Sequence, residues 1–313
     1  MEEAISAHRV SKNFGRTAVL RNVSFSIPRG AVYALVGENG AGKTTLIKLM
    51  MNILSPTAGQ ITVLGTNSHD LIGKSFVRIG YVSENQEFAD WTTVGGMLNY
   101  FRGFYPQWDR DLERRLIRQF DLPLKRKLKH LSRGMRMKAA FVSSLAYRPD
   151  AIVLDEPLSG LDPFVRDELV QALRDEAHES TIFLSSHDLA EIEAFATHVG
   201  FLEQGRMIFS EEMSILMERF REVTVTLAEP LPQNWTPPNH WLNPELSPQQ
   251  LRFIHKDHQA NISEEQVRAL LATATAIRIE PMRLRSIFLA MAKAAKANRL
   301  EHEGDSSQEE AAA

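Results

Sequence analysis

The chain of 313 residues contains no cysteine, so it forms no disulfide and offers no thiolate to a metal. It has no run near the roughly 18 consecutive apolar residues of a membrane helix. It also lacks any surplus of basic charge. The formal net charge is −3, which argues against a dedicated nucleic-acid binder, whose domain is usually strongly basic. The opening Met1-Glu2-Glu3-Ala4-Ile5 has neither a basic start nor an apolar run. That predicts no secretory signal and a cytosolic location, with any membrane contact made through partners. What remains is ordinary for a globular protein: 43% apolar and 24% charged residues, and enough length for one large domain plus a smaller one.

Short apolar runs at 23–27 and 31–36, separated by Pro28-Arg29-Gly30, predict two strands. The second run ends at a glycine-rich stretch. Helical spacing follows from 44, with Leu46, Leu49, Met50 and Ile53 on one face. Runs at 61–64, 79–82, 151–154 and 181–184 read as further strands, and 164–178 as a crossover helix. Alternation of this kind predicts an α/β fold with a mostly parallel sheet. Residues 88–147 read as a helical subdomain. Its aromatics Trp91, Phe101, Phe104, Tyr105 and Trp108 are expected to form a local core.

A boundary is expected after Phe220. Six of the fourteen prolines fall between Pro230 and Pro248, which predicts irregular chain there. Strand-like 223–227, 251–255 and 276–280, with helical 263–273 and 284–297, suggest a small α+β accessory domain over 221–298. The segment 299–313 is acidic and reads as a disordered tail. The basic run Lys125-Arg126-Lys127-Leu128-Lys129-His130 reads as a solvated loop. His255 and His258 form an HxxH without further ligands and are expected to lie exposed at a strand end.

Gly37-Glu38-Asn39-Gly40-Ala41-Gly42-Lys43-Thr44, with Thr45 following, fits GxxxxGK[ST] between a strand and a helix. Glycines let successive N–H groups converge on one hollow, and the helix adds its positive end. Lys43 supplies a full charge for the β- and γ-phosphates, and the Thr44 hydroxyl suits Mg²⁺. Ala151-Ile152-Val153-Leu154-Asp155-Glu156 is an apolar strand ending in two carboxylates. Beside a phosphate loop, Asp155 suits the metal and Glu156 suits the base that activates water.

These motifs and four others, in order, resemble the ATP-binding subunits of ABC transporters. Leu131-Ser132-Arg133-Gly134-Met135 resembles the family signature. Ser159-Gly160-Leu161-Asp162 resembles its D-loop, Ser186-His187-Asp188 its switch histidine, and Phe14 its adenine-stacking aromatic. The likeness runs from about Ile5 to Phe220. It implies a P-loop NTPase fold with a β-rich N-terminal part, a helical subdomain and Mg·ATP as ligand. It further implies a head-to-tail homodimer, or a heterodimer with a related cassette. In such a pair each ATP lies on one subunit's phosphate loop, under Ser132 and Gly134 of the other, with Asp162 at the seam and His187 against the γ-phosphate. Transmembrane permease subunits, encoded separately, are the implied partners, on the cytoplasmic face of the membrane. Arg-Gly-Met in the signature and the C-terminal extension resemble export-type systems.

Two departures stand out. Arg133 replaces a glycine and either approaches the opposing nucleotide or points to solvent. In Ile79-Gly80-Tyr81-Val82-Ser83-Glu84-Asn85-Gln86, either Glu84 or Gln86 takes the place of the family's metal-facing glutamine. The rivals to a transport motor are a soluble ATPase of the same family acting on DNA or ribosomes, and a regulatory module that does not turn over.

Overall fold

The computed structural model describes residues 2–84, 86–176, 179–232, 234–238, 240–256 and 263–294. His258 and the acidic segment 299–313 lie outside the described residues. The chain packs as two units, the second starting at Glu212. The division therefore precedes the boundary expected after Phe220, because a helix rather than a linker follows the last strand of the first unit.

The first unit opens with the antiparallel hairpin β1 (Glu3–Phe14) and β2 (Thr17–Pro28). Next come β3 (Val32–Val36), helix α1 (Lys43–Met50), β4 (Ala58–Val63) and β5 (Thr66–Asn67). β1, β2, β4 and β5 form one four-stranded sheet in the order β2-β1-β4-β5. The chain continues through α2 (Gly73–Phe76), β6 (Ile79–Val82), α3 (Val94–Arg102), α4 (Arg110–Gln119) and α5 (Arg133–Leu145). It returns through β7 (Ala151–Asp155), α6 (Pro163–Glu176), β8 (Thr181–Ser186), α7 (Leu189–Glu193), β9 (His198–Glu203) and β10 (Arg206–Glu212).

The second sheet has the order β10-β9-β3-β8-β7-β6. Its pairs β9–β3, β3–β8, β8–β7 and β7–β6 are parallel. Every residue of β3, β7 and β8 is buried, which is why the bodies of these strands are continuously apolar rather than alternating, with polar residues only at their ends. Tyr33 of β3 stacks on Phe183 of β8 at 5.6 Å and donates to or accepts from Ser210 Oγ at 2.8 Å. A methyl group at Gly200 would meet the Tyr33 hydroxyl oxygen at 2.0 Å, so β9 can lie beside that ring only with glycine there.

The aromatics of the helical region do not all form a local core. Leu98 and Met97 bury one face of α3, while Trp91 and Phe104 are 80% and 58% exposed. Tyr100 and Phe104 stand on the other side of the helix and its exit, in edge-to-face contact at 5.0 Å. The basic run 125–130 is exposed except for Leu128, which anchors it.

The second unit comprises α8 (Met213–Arg219), β11 (Arg221–Leu227), β12 (Trp241–Ser247), β13 (Gln250–His255), α9 (Glu264–Leu270), β14 (Ala274–Pro281) and a helix at 284–294. Its antiparallel sheet runs β12-β13-β11-β14. The proline-rich stretch is thus not wholly irregular. Pro244 lies in β12, which is an edge strand, and the pairing slips between Leu242 and Glu245 with Asn243 at φ 49°. A bulge on an edge is where a strand can admit a residue without an N–H. His255 is 5% exposed rather than solvated. Strand alternation puts it on the same face as Leu251 and Phe253, both in the core.

Candidate active site

Three strand ends converge. β3 runs into the phosphate loop, β7 ends at Asp155, and β8 ends beside His187. Ligands of open parallel sheets sit at such carboxyl ends. Gly37 leaves β3 so close to β9 that a methyl group there would lie 2.2 Å from the Leu202 carbonyl oxygen. Gly40 and Gly42 hold φ of 83° and 109°, which side chains resist, and Ala41 N–H donates to the Glu38 carbonyl at 3.1 Å. The loop so formed turns directly into α1.

Lys43 is 6% exposed. Its ammonium donates to the carbonyls of Gly37 at 2.7 Å and Glu38 at 3.3 Å and lies 3.1 Å from Glu156 Oε1. Thr44 Oγ1 donates to Asp155 Oδ1 at 3.2 Å, and Ser185 Oγ donates to the same oxygen at 2.7 Å. The Glu156 backbone N–H in turn donates to Ser185 Oγ at 2.9 Å. Glu156 has φ 47° and is 8% exposed. This sparsely populated backbone conformation turns its carboxylate back between Lys43 and His187, whose Nδ1 is 2.8 Å from Oε2. The buried Oε1 accepts no hydrogen bond from the described residues despite the nearby ammonium. The hydroxyl of Tyr81 is pushed above its ordinary range, by burial first and by the charge of Asp155 second.

A cavity of about 540 Å³ opens over these groups. Glu38, Asn39, Gly40, Lys43, Thr44 and Thr45 line one side, and Glu84, Glu156, Ser159 and His187 the other. That volume is typical of a small-molecule site. The donor set fits an anionic, metal-bound ligand: a helix N-terminus, a lysine, and hard oxygen donors from Thr44 and Asp155, which suit Mg²⁺.

Other residues singled out from the sequence lie elsewhere. Glu84 lines this cavity, whereas Gln86 does not; the Gln86 Oε1 accepts from Ser83 N–H and Oγ at 3.2 and 3.1 Å. Phe14, at the end of β1, is 47% exposed with Lys12 Nζ 5.1 Å over its ring. Ser132 caps α5, accepting from Met135 N–H at 3.3 Å. At Gly134 an added methyl group would meet Val165 of α6 at 3.2 Å. Asp162 Oδ1 accepts from Val165 N–H at 3.1 Å at the start of α6. None of Phe14, Ser132, Gly134 or Asp162 lines the cavity. Arg133 is exposed, and its guanidinium passes close to Gly160, where an added methyl group would come within 2.9 Å of Nη1. Sequence reasoning missed Ser185 and the hydroxyl of Tyr81. Ser185, two residues before His187, was legible only as a polar end to an apolar run.

The family described as ABC transporter matches residues 20–159. Over 228 residues the chain is 31% identical to the bacitracin transport ATP-binding protein BcrA of Enterococcus faecalis, covering 72% of this chain and 74% of that protein. It is 30% identical over 223 residues to the ABC transporter ATP-binding protein YtrB of Bacillus subtilis, covering 70% of this chain and 75% of that one. Among solved structures, the ATP binding subunit of an ABC transporter is 27% identical with a TM-score of 0.63, over 68% of this chain and 91% of its own. With its phosphate loop, paired carboxylates and histidine gathered at the ends of a parallel sheet, the chain belongs to the family of ABC transporter ATP-binding proteins.

Proposed function

We propose that the chain is the ATP-hydrolysing subunit of an export-type transporter, working as a homodimer on the cytoplasmic face of the membrane against separate transmembrane subunits. The observation that carries it is Glu156 held between Lys43 and His187, beside the Thr44–Asp155 pair, in one cavity. ATP lies with its phosphates over the loop from Gly37 to Thr45. Thr44, Asp155 and Glu84 would hold Mg²⁺, which when bound would offset charge on the phosphate oxygens. Lys43 moves from its loop carbonyls to the phosphates. The Glu156 carboxylate takes the proton of the attacking water, whose oxygen bonds to the γ-phosphorus as the bond to the ADP oxygen breaks. His187 orients Glu156 through Nδ1 and reaches the γ-phosphate with its other nitrogen.

The site is half built in one subunit. Ser132 and Gly134 begin a helix of 13 residues whose N-terminus is outside the cavity. In a head-to-tail pair that positive end covers the partner's γ-phosphate, with Asp162 at the seam and Phe14 against adenine. The relative named for bacitracin transport supports the export reading. No described helix is long and apolar enough to cross a membrane, so the motion has to be passed on. The surface suited to this is an apolar groove of about 660 Å³ lined by Phe76, Val77, Tyr100, Phe101 and Phe104. Tyr100 and Phe104 are more than half exposed there, which is unusual for a surface with no partner.

The test is Mg²⁺-dependent phosphate release by the purified chain, with light scattering of the Glu156→Gln variant saturated with Mg·ATP. A dimer is expected. A variant that stays monomeric, alone and beside its membrane subunits, removes the paired mechanism. Phe104→Ala is expected to keep basal turnover and lose stimulation by the membrane partner; retained stimulation would falsify the groove assignment.

A further inference from the structure

Arg133 and Glu84, the two departures from the family pattern, line the same cavity. This second cavity, of about 380 Å³, has Glu84 and Glu87 on its walls with Arg133 and Arg136. Glu84 lines the nucleotide cavity as well, so it stands between the two. Arg133 meanwhile lies against Gly160, in a turn whose neighbour Ser159 faces the nucleotide cavity. Gly160 has φ 66°, a backbone conformation that disfavours a side chain, and its open face is where the guanidinium comes close.

We propose that Arg133 is a positioning residue that ties the start of α5 to the Ser159–Asp162 turn of its own subunit and, with Arg136, balances Glu84 across the cavity. Three contacts then join α5 to the turn and the helix it starts. Arg133 lies on Gly160, Gly134 admits Val165 at close range, and Lys138 Nζ pairs with Glu168 at 2.6 Å. The signature end of α5 and the turn therefore move as one piece. A planar guanidinium can rest flat on a glycine peptide while its charge faces carboxylates; an ammonium can do only the second. A charged Glu84 in place of a neutral amide gives Arg133 its counterpart. When Glu84 turns to Mg·ATP, Arg133 keeps only Glu87 across the cavity while Arg136 stays beside Asp90 at 3.8 Å, and the hold on the signature–turn unit is loosened. This consequence rests on the nucleotide site proposed above. The tie itself belongs to the single, nucleotide-free subunit.

The experiment is amide hydrogen exchange on the full nucleotide-free chain, for wild type, Arg133→Gly and Arg133→Lys, followed by steady-state phosphate release. Arg133→Gly is expected to speed exchange at 159–162 about tenfold, with β3 and β7 unchanged as a check on the fold, and Arg133→Lys to recover only part of the protection. In turnover, Arg133→Gly lowers kcat several-fold with little change in KM. Adding Glu84→Gln to it costs less than the two single effects multiplied. Unchanged exchange at 159–162 in Arg133→Gly overturns the tie, even if the protein hydrolyses no ATP at all. Independent multiplication of the two substitutions overturns the balance with Glu84.

Discussion

Replacing Glu156 with glutamine separates two roles of one carboxylate. Its Oε1 is 3.1 Å from Lys43 Nζ, with side chains 10% and 6% exposed. Two unit charges at that distance attract by about 5 kcal/mol at an effective dielectric of 20. Most of this is not lost on substitution. The ammonium keeps the Gly37 and Glu38 carbonyls, and a neutral amide no longer has to be desolvated as an ion. A net destabilisation of about 1–3 kcal/mol is left for the nucleotide-free protein. For a unit of this size that lowers Tm by roughly 2–10 °C. ATP reverses the sign, because its terminal phosphate gives Lys43 a new partner and no longer faces a carboxylate. The rise in Tm on adding Mg·ATP is therefore larger for the variant than for wild type. The chemical step moves the other way: without a base, kcat falls by about 10²–10⁴. Differential scanning fluorimetry and phosphate release on the same preparations check both. Turnover within tenfold of wild type would refute Glu156 as the base. A fall in kcat with no change in the nucleotide-free Tm would refute the Lys43 pairing as a stabilising contact.

Removing Mg²⁺ with EDTA, or substituting Thr44→Ala, should lower phosphate release by at least about 10²-fold while leaving some metal-free ATP binding, read by fluorescence of a nucleotide analogue. Gly37→Ala places a methyl group 2.2 Å from the Leu202 carbonyl oxygen; backbone cannot yield there cheaply, so a loss of about 3 kcal/mol or more is expected in a urea titration. Asp109 caps α4, accepting from Asp111 and Leu112 N–H, and its carboxyl is held below its ordinary range by the Leu112 N–H first and by Arg148 next. Since the folded value is the lower one, its contribution is complete above the unfolded value of about 4 and fades as pH falls through the folded value. Asp109→Ala should then cost about 1 kcal/mol at pH 7, with the two proteins converging in strong acid; a gap that does not narrow with acid counts against the cap.

The first unit was readable because its signals are local in the chain. Val32–Val36 and residues 151–154 are buried and so read as unbroken apolar runs, and the loop between β3 and α1 needs glycine at fixed positions. What escaped reading depended on neighbours remote in the chain. Pro244 is tolerated because β12 is an edge, a fact set by sheet order and not by the proline. His255 is buried because its strand's parity matches Leu251 and Phe253, while an HxxH pattern draws the eye to metals. Tyr100 and Phe104 look like core residues to any composition argument, yet α3 spends its inner face on Met97 and Leu98 and leaves them outside.

The site divides along the same line, and the division bears on mechanism. Residues at strand ends were legible because a strand fixes where its last side chain goes: Asp155, Glu156 and His187 meet within hydrogen-bonding range of Thr44 or of one another. Ser185 was not, since a serine after an apolar run carries no signal until the Asp155 carboxylate is beside it. The signature residues are the opposite case. Their motif is plain in the sequence, yet in the single chain Ser132 only caps its own helix and Asp162 only caps the next. Ordinary capping explains each geometry completely, at about 1 kcal/mol apiece, and neither requires the neighbouring Arg133–Gly160 contact or a glycine at 134. Those two features bring the starts of α5 and α6 together and present two helix N-termini side by side. In the pairing proposed above, this surface is the one that meets the nucleotide on a second copy, and the helix ends supply partial positive charge to an arriving phosphate.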